Sequence, residues 1–235
     1  SSSGIDATLD ISIHPSGTNI SCFGASDGWI DATISGGSGP YTFDWRGPDS
    51  LAFNTEDITG LPAGTYDYEL VVIDANQCAF STTVVLTQPD SALTGQIQIT
   101  DYNGYGTSCP GTNDGALELT VLGGSGGNSI QWSGPSGFAS NEPLINGLAA
   151  GTYTATITDV NGCTAIQDAI VTVPPAIAAQ LTAFAFPSGT NISCASASDG
   201  SITLNISGGA GALDLAWSGP NGAMVRSGPT SSSAT

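Results

Sequence analysis

The chain has 235 residues, and twenty Asp and Glu stand against two Arg, with no Lys and a formal net charge of −18. Such a surface repels phosphate backbones and anionic headgroups, which excludes nucleic-acid or membrane binding through a basic patch. Thirty-two Gly and thirteen Pro between short apolar runs point to an all-β protein with many turns. No run of eighteen apolar residues is present to insert into a bilayer, and Ser1–Asp10 lacks the basic and apolar regions of a signal peptide, so any export signal is expected to lie outside this sequence or to have been removed.

The first predicted strand, "TLDISI" from Thr8, leads into "PSGTNISC" at 15–22, and these eight letters return at 187–194. Half of that interval falls within one residue of Cys109, which closes "NGYGTSC", so the chain is built of repeats of about 86 residues. Cysteine to tryptophan spans the same interval in each copy: Cys22 to Trp45, Cys109 to Trp132 and Cys194 to Trp217. Two whole domains, 1–90 and 91–175, are predicted, followed by an incomplete third at 176–235.

The second strand alternates, with Ile30, Ala32 and Ile34 matched by Leu117, Leu119 and Val121 and by Ile202, Leu204 and Ile206, so these side chains face a core. After a Gly-Gly-x-Gly turn the third strand buries Tyr41, Phe43 and Trp45, matched by Asn128, Ile130 and Trp132. "GLPAGTY" and "GLAAGTY" resemble the tyrosine corner of immunoglobulin-like sandwiches, with Tyr66 and Tyr153 in that part. The following strand is then two residues longer in the first copy, which leaves its inward set inward. Asn76-Gln77 and Asn161-Gly162 mark the last hairpin turn. Closing strands at "FSTTVVLT" and "AIQDAIVTV" bring each unit to about seven strands, an immunoglobulin-like β-sandwich of about 85 residues, and short proline-marked linkers would set such units in a rod.

Five cysteines at repeated spacing, without close pairs or accompanying His, fit an oxidising compartment and an extracellular or cell-surface location. Cys22 is expected to pair with Cys78 and Cys109 with Cys163, each bridge closing one domain near an end of its sandwich and shielding the residues between from tension. Cys194 would find its partner in sequence beyond Thr235.

The order "ISCFGASDGWIDATISGGSGPYTFDW", "GLPAGTYDYELVVIDANQC" and "VVLTQP" resembles the SprB repeat, found in tandem in very large surface adhesins of gliding bacteria that export through the type IX secretion system. The resemblance implies a non-enzymatic cell-surface or filament protein, a disulfide-stabilised stalk for surface attachment or gliding, with surface polysaccharide or neighbouring filament subunits as partners. A different reading is a carbohydrate-binding accessory module of a secreted enzyme. The family's bacteria attach O-glycans at Asp followed by Ser or Thr and a small or apolar residue, which implies Ser50 and Ser91 as acceptors.

His14 is the only histidine, and no catalytic triad or metal centre assembles around it; no enzyme, cofactor or metal is expected. The recurring Asp27-Gly28, Asp114-Gly115 and Asp199-Gly200 pairs are candidate calcium ligands, against which stands the plain turn that Asp and Gly favour. Trp29 occupies an outward strand position filled by Ala116 and Ser201 elsewhere, and is a candidate ligand contact. Asn19, Asn191 and Asn205 open N-I-S sequons.

Overall fold

The computed structural model describes residues 4–64, 67–218 and 224–230. The first repeat runs β1 (Asp6–Ile11), β2 (Gly28–Ser35), β3 (Thr42–Arg46), β4 (Ala52–Phe53), β5 (Ile58–Leu61), β6 (Tyr68–Ile73) and β7 (Ala79–Val84). They form two antiparallel sheets, a three-stranded β1-β2-β5 and a four-stranded β4-β3-β6-β7. The second repeat runs β8 (Thr94–Ile99), β9 (Gly115–Leu122), β10 (Ser129–Ser133), β11 (Ala139–Ser140), β12 (Leu144–Leu148), β13 (Gly151–Thr158) and β14 (Thr164–Val171), and repeats the arrangement as β12-β9-β8 and β11-β10-β13-β14. The protein is thus an all-β chain of tandem sandwiches.

Alternation builds each core. Ile30 and Ala32 of β2 are buried while Trp29, Asp31 and Thr33 between them face out, and Leu117 and Leu119 repeat this on β9. The opposite sheet contributes Trp45, Leu70 and Val72 in one repeat and Trp132, Ala155 and Ile157 in the other. Each tryptophan is fully buried, and its indole nitrogen donates to backbone carbonyls of the loop before the fifth strand: Trp45 to Thr55 at 3.1 Å, Trp132 to Glu142 at 2.9 Å. Asn128 lies before β10 and is exposed, because the turn there is polar and glycine-rich, so the second core draws on Ile130 and Trp132 alone from that strand. In the third repeat β15 (Ala178–Ala183) pairs with β16 (Ile202–Ser207) and β17 (Leu213–Ser218) with β18 (Met224–Thr230).

The tyrosine corner lies two residues from its expected place in the first repeat. Tyr66 falls outside the described residues, and Tyr68 is the counterpart of Tyr153: Arg46 pairs with Glu69 as Ser133 pairs with Thr154. The Tyr68 hydroxyl donates to Pro62 O at 2.8 Å and that of Tyr153 to Ala149 O at 3.0 Å. Burial, with the Asp49 carboxylate adding to it, pushes the Tyr68 hydroxyl up to about 12, so it stays a donor throughout the physiological range. The two extra residues of the first copy therefore precede the tyrosine, and the stretch from tyrosine to strand end, Tyr68–Ile73 or Tyr153–Thr158, is six residues in both copies.

Both rings pack on glycine. Gly134 has extended backbone that any residue adopts (φ −169), yet an added Cβ would stand 2.5 Å from Tyr153 Cδ1. Gly134→Ala is expected to cost about 1–3 kcal/mol of second-repeat stability, as overpacking does, seen as a lower unfolding midpoint for that repeat with the first unaffected.

Strand parity fixes two poles. Asp6 pairs with Ser35 and Ile73 with Ala79, so the chain enters β1 at the pole holding the β6–β7 turn. Ile11 pairs with Ile30 and Tyr68 with Val84, so it leaves β7 at the opposite pole, beside the loop between β1 and β2.

Candidate functional site: the junction between repeats

The exit-pole loop, residues 12–27, is held from within. Asn19 is buried; its Nδ2 donates to Ser12 O at 2.7 Å, and its Oδ1 accepts from Thr87 N and Thr87 Oγ1, both at 2.9 Å. The carboxamide braces the loop against the outgoing linker, and is fully engaged rather than open to a glycan. Asn191 likewise donates to Phe184 O at 2.8 Å.

The Asp-Gly pairs serve the same loop. Asp27 Oδ1 accepts from Ser21 N at 3.1 Å, Asp114 Oδ1 from Ser108 N at 3.1 Å, and Asp199 Oδ1 from Ser193 N at 3.1 Å. Gly28 follows because a Cβ there would lie 2.6 Å from Ile20 Cδ1 and 2.9 Å from Leu61 O. These contacts account for the recurrence without calcium, and no metal-holding group of acidic, His or Cys residues occurs among the described residues. His14 is half-buried, and its Nε2, which is itself buried, lies 3.8 Å from Asp27 Oδ2, beyond hydrogen-bond reach.

Bonds from the Ser108 hydroxyl and Ser108 N–H, with Thr112 adding, hold Asp114 below its ordinary 3.8, and the Ser193 hydroxyl and N–H do the same for Asp199. At Asp27 burial opposes ionisation, but the Ser21 bonds and His14 outweigh it and the value is again lowered. A depressed carboxylate stabilises the fold above its unfolded value and loses that contribution as pH falls through the folded value. The stability advantage of the native chain over Asp114→Asn is accordingly expected at full size above about pH 5 and to shrink below 3.8, read from thermal melts across pH.

The entry pole carries a matching turn that sequence reasoning missed. Asp159 is buried; its Oδ1 accepts from Asn161 N at 3.0 Å and Cys163 N at 2.9 Å, and its Oδ2 from Ser125 N at 2.9 Å. Asp74 repeats this with Asn76 N and Cys78 N at 2.9 Å and Ser38 N at 3.1 Å. The signal was present as Asp-x-Asn-x-Cys in both copies. One carboxylate thereby ties the hairpin turn to the glycine-rich turn and presents Asn and Cys outward.

At the junction, the entry-pole turn of the second repeat seats on the exit-pole loop of the first. Asn161 Nδ2 donates to Ser21 O and Ser16 Oγ, each at 2.8 Å, and its Oδ1 accepts from Ser16 N at 3.1 Å. Beside it Cys163 is bonded to Cys22, S–S 2.04 Å, Cα–Cα 5.8 Å. The linker runs past the same point, where Gly124 N donates to Ser91 O at 3.0 Å. Two repeats are thus joined three ways, by chain, side-chain lock and disulfide.

This corrects the expected pairing of Cys22 with Cys78 and Cys109 with Cys163. Within one repeat the two cysteines stand at opposite poles, separated by the length of β2, eight residues or roughly 26 Å of strand, whereas a disulfide requires Cα atoms within about 7 Å. Cys78, Cys109 and Cys194 are free and exposed. Ser50 is exposed at the end of the short 3-10 turn Pro48–Ser50, and Ser91 is exposed in the linker. Trp29 is 41% exposed on the outer face of β2.

Sandwiches of one design, repeated along the chain and locked pole to pole, define a structural repeat protein. The SprB repeat family model matches residues 16–50 and 188–222, equivalent segments of the first and third copies, and these segments are similar to SprB repeats. The family is a structural repeat rather than an enzymatic one, occurs in surface or secreted proteins, and marks an adhesin-type repeat protein. No curated protein sequence matches the chain. No helix among the described residues is long and apolar enough to cross a membrane.

Proposed function

We propose that the chain is a stalk segment of an extracellular surface adhesin, non-enzymatic, transmitting load between an anchored end and an attaching end in attachment or gliding. The disulfide across the junction carries this reading: a bridge within a domain stabilises that domain, but a bridge between domains stiffens an array and gives tension a covalent path around the folds. The acidic surface supports it by keeping a long array soluble and away from anionic membranes. Partners in this reading are surface polysaccharide or neighbouring filament subunits, with O-glycans at Ser50 and Ser91. Antibody against the repeats is expected to label intact source cells, and deletion of the array to reduce their attachment to a surface. Labelling only after lysis, or unchanged attachment, would overturn the proposal.

A second reading, a carbohydrate-binding accessory module, is favoured by Trp29, whose exposed indole sits where the other repeats carry Ala116 and Ser201. In that case Trp29→Ala abolishes retention on a polysaccharide column, whereas a stalk repeat is retained no differently from its variant.

A further inference from the structure

The repeats are versions of one scaffold, so the scaffold itself requires none of the side chains that only one version carries. On the outer face of the β1-β2-β5 sheet, Asp10 stands directly opposite Asp31 in the strand register, and Trp29 lies two residues before Asp31 on the same face. The second repeat has Gln98 opposite Glu118, with Ala116 in the tryptophan position. The third has Thr182 opposite Thr203, with Ser201 in that position. Those pairs suit a sheet, whereas like charges directly opposite each other destabilise it. Asp10 and Asp31 are both exposed, and among the described residues neither carboxylate nor the Trp29 indole nitrogen has a hydrogen-bond or ion-pair partner. The first repeat thus keeps an unneutralised carboxylate pair, against its own stability, beside an aromatic ring that the other repeats lack.

We propose that this face binds an amino-sugar polysaccharide, with a pyranose ring stacked on Trp29 and a protonated amine held between Asp10 and Asp31. The assignment rests on the carbohydrate-binding reading of Trp29 and narrows its ligand to a cationic one. An ammonium group is attracted to the negative face of an indole as well as to carboxylates. Asp10 is the diagonal neighbour of Trp29, at roughly 7–8 Å, so ring and carboxylates fall within the span of a disaccharide. A bound cation removes the repulsion within the pair, and the net charge of −18 adds attraction for a cationic polymer. A basic peptide fits this face less well. β2 is the central strand of its sheet, so its backbone groups are taken by β1 and β5 and offer no edge for strand addition; the face presents a flat ring and two acceptors.

The test is a calorimetric titration of the full chain, at a pH where the amine is protonated, with a glucosamine hexasaccharide, its fully N-acetylated counterpart and a hexalysine peptide. The glucosamine oligomer is expected to bind and the acetylated one to bind far more weakly. Trp29→Ala, which leaves the net charge unchanged, is expected to weaken glucosamine binding about tenfold, as loss of an indole that contacts a cation would. Asp10→Asn and Asp31→Asn should each weaken it several-fold while raising the unfolding midpoint of the first repeat, so that lost affinity is not lost fold. Any hexalysine binding should be indifferent to Trp29→Ala, since it reports the acidic surface alone. Equal, Trp29-dependent binding of the acetylated oligomer would overturn the amine while leaving the carbohydrate reading in place. Absence of Trp29-dependent binding to either oligomer would overturn both, and Trp29-dependent binding of hexalysine as tight as that of glucosamine would overturn the choice of a sugar.

Discussion

Pulled from its two ends, the oxidised chain is expected to come up short by roughly 480 Å of contour length relative to the reduced chain, because the bridge joins residues 141 positions apart at about 3.4 Å each. The load path explains the size. Tension enters through β1, passes from Cys22 directly to Cys163, and leaves through β14. Strands β2 to β7 and β8 to β13 lie inside the closed loop and bear no load while it holds. A bridge within one repeat would hide far less length and would act on each domain separately. An increment that reduction leaves unchanged, or one appearing as two equal smaller steps, would mean that the two repeats do not share one covalent loop.

The second large effect is expected at a residue that touches neither sulfur. Asp159→Ala removes a buried carboxylate that accepts three backbone N–H groups and leaves those donors without partners. The cost is about 3 kcal/mol or more, since hydrogen bonds to a charged group are strong and buried donors left unmade are penalised. The second repeat should unfold at lower denaturant, and the Cys22–Cys163 bridge should be reduced faster by dithiothreitol because its turn no longer holds Cys163 in place. Asp74→Ala is the control. It removes the same three bonds from the first repeat, and its turn carries the unbonded Cys78. Destabilisation without a change in bridge reduction is expected there; equal acceleration in both variants would show that the bridge responds to global stability and not to the local turn.

The sandwich itself was legible because burial imposes a period of two that sequence displays directly. Ile30 and Ala32, Leu117 and Leu119, and both tryptophans are where alternation puts them. Copy-to-copy alignment went wrong at Tyr66 because identical "AGTY" letters were matched, whereas packing aligns the ring that lies on glycine, Tyr68 on Gly47 and Tyr153 on Gly134. Pairing letters that hold the same place in a repeat also gave the wrong disulfides. Counting strand direction corrects it: Cys22 follows a strand running toward the exit pole and Cys78 follows β6, which runs toward the entry pole, so no bridge within a repeat is possible. The octapeptide was recognisable as a seam, but that it is half of a lock became visible only when Asn161, 145 positions from Ser16, was found seated in it. Long-range partners of that kind leave no periodic trace.

The most direct test of the junction is a non-reducing peptide map of the oxidised chain. A linked pair containing Cys22 and Cys163, with Cys78, Cys109 and Cys194 alkylated as free thiols in monomeric material, is the expected result. Linked pairs of Cys22 with Cys78 and of Cys109 with Cys163 would contradict it and return each bridge to a single repeat.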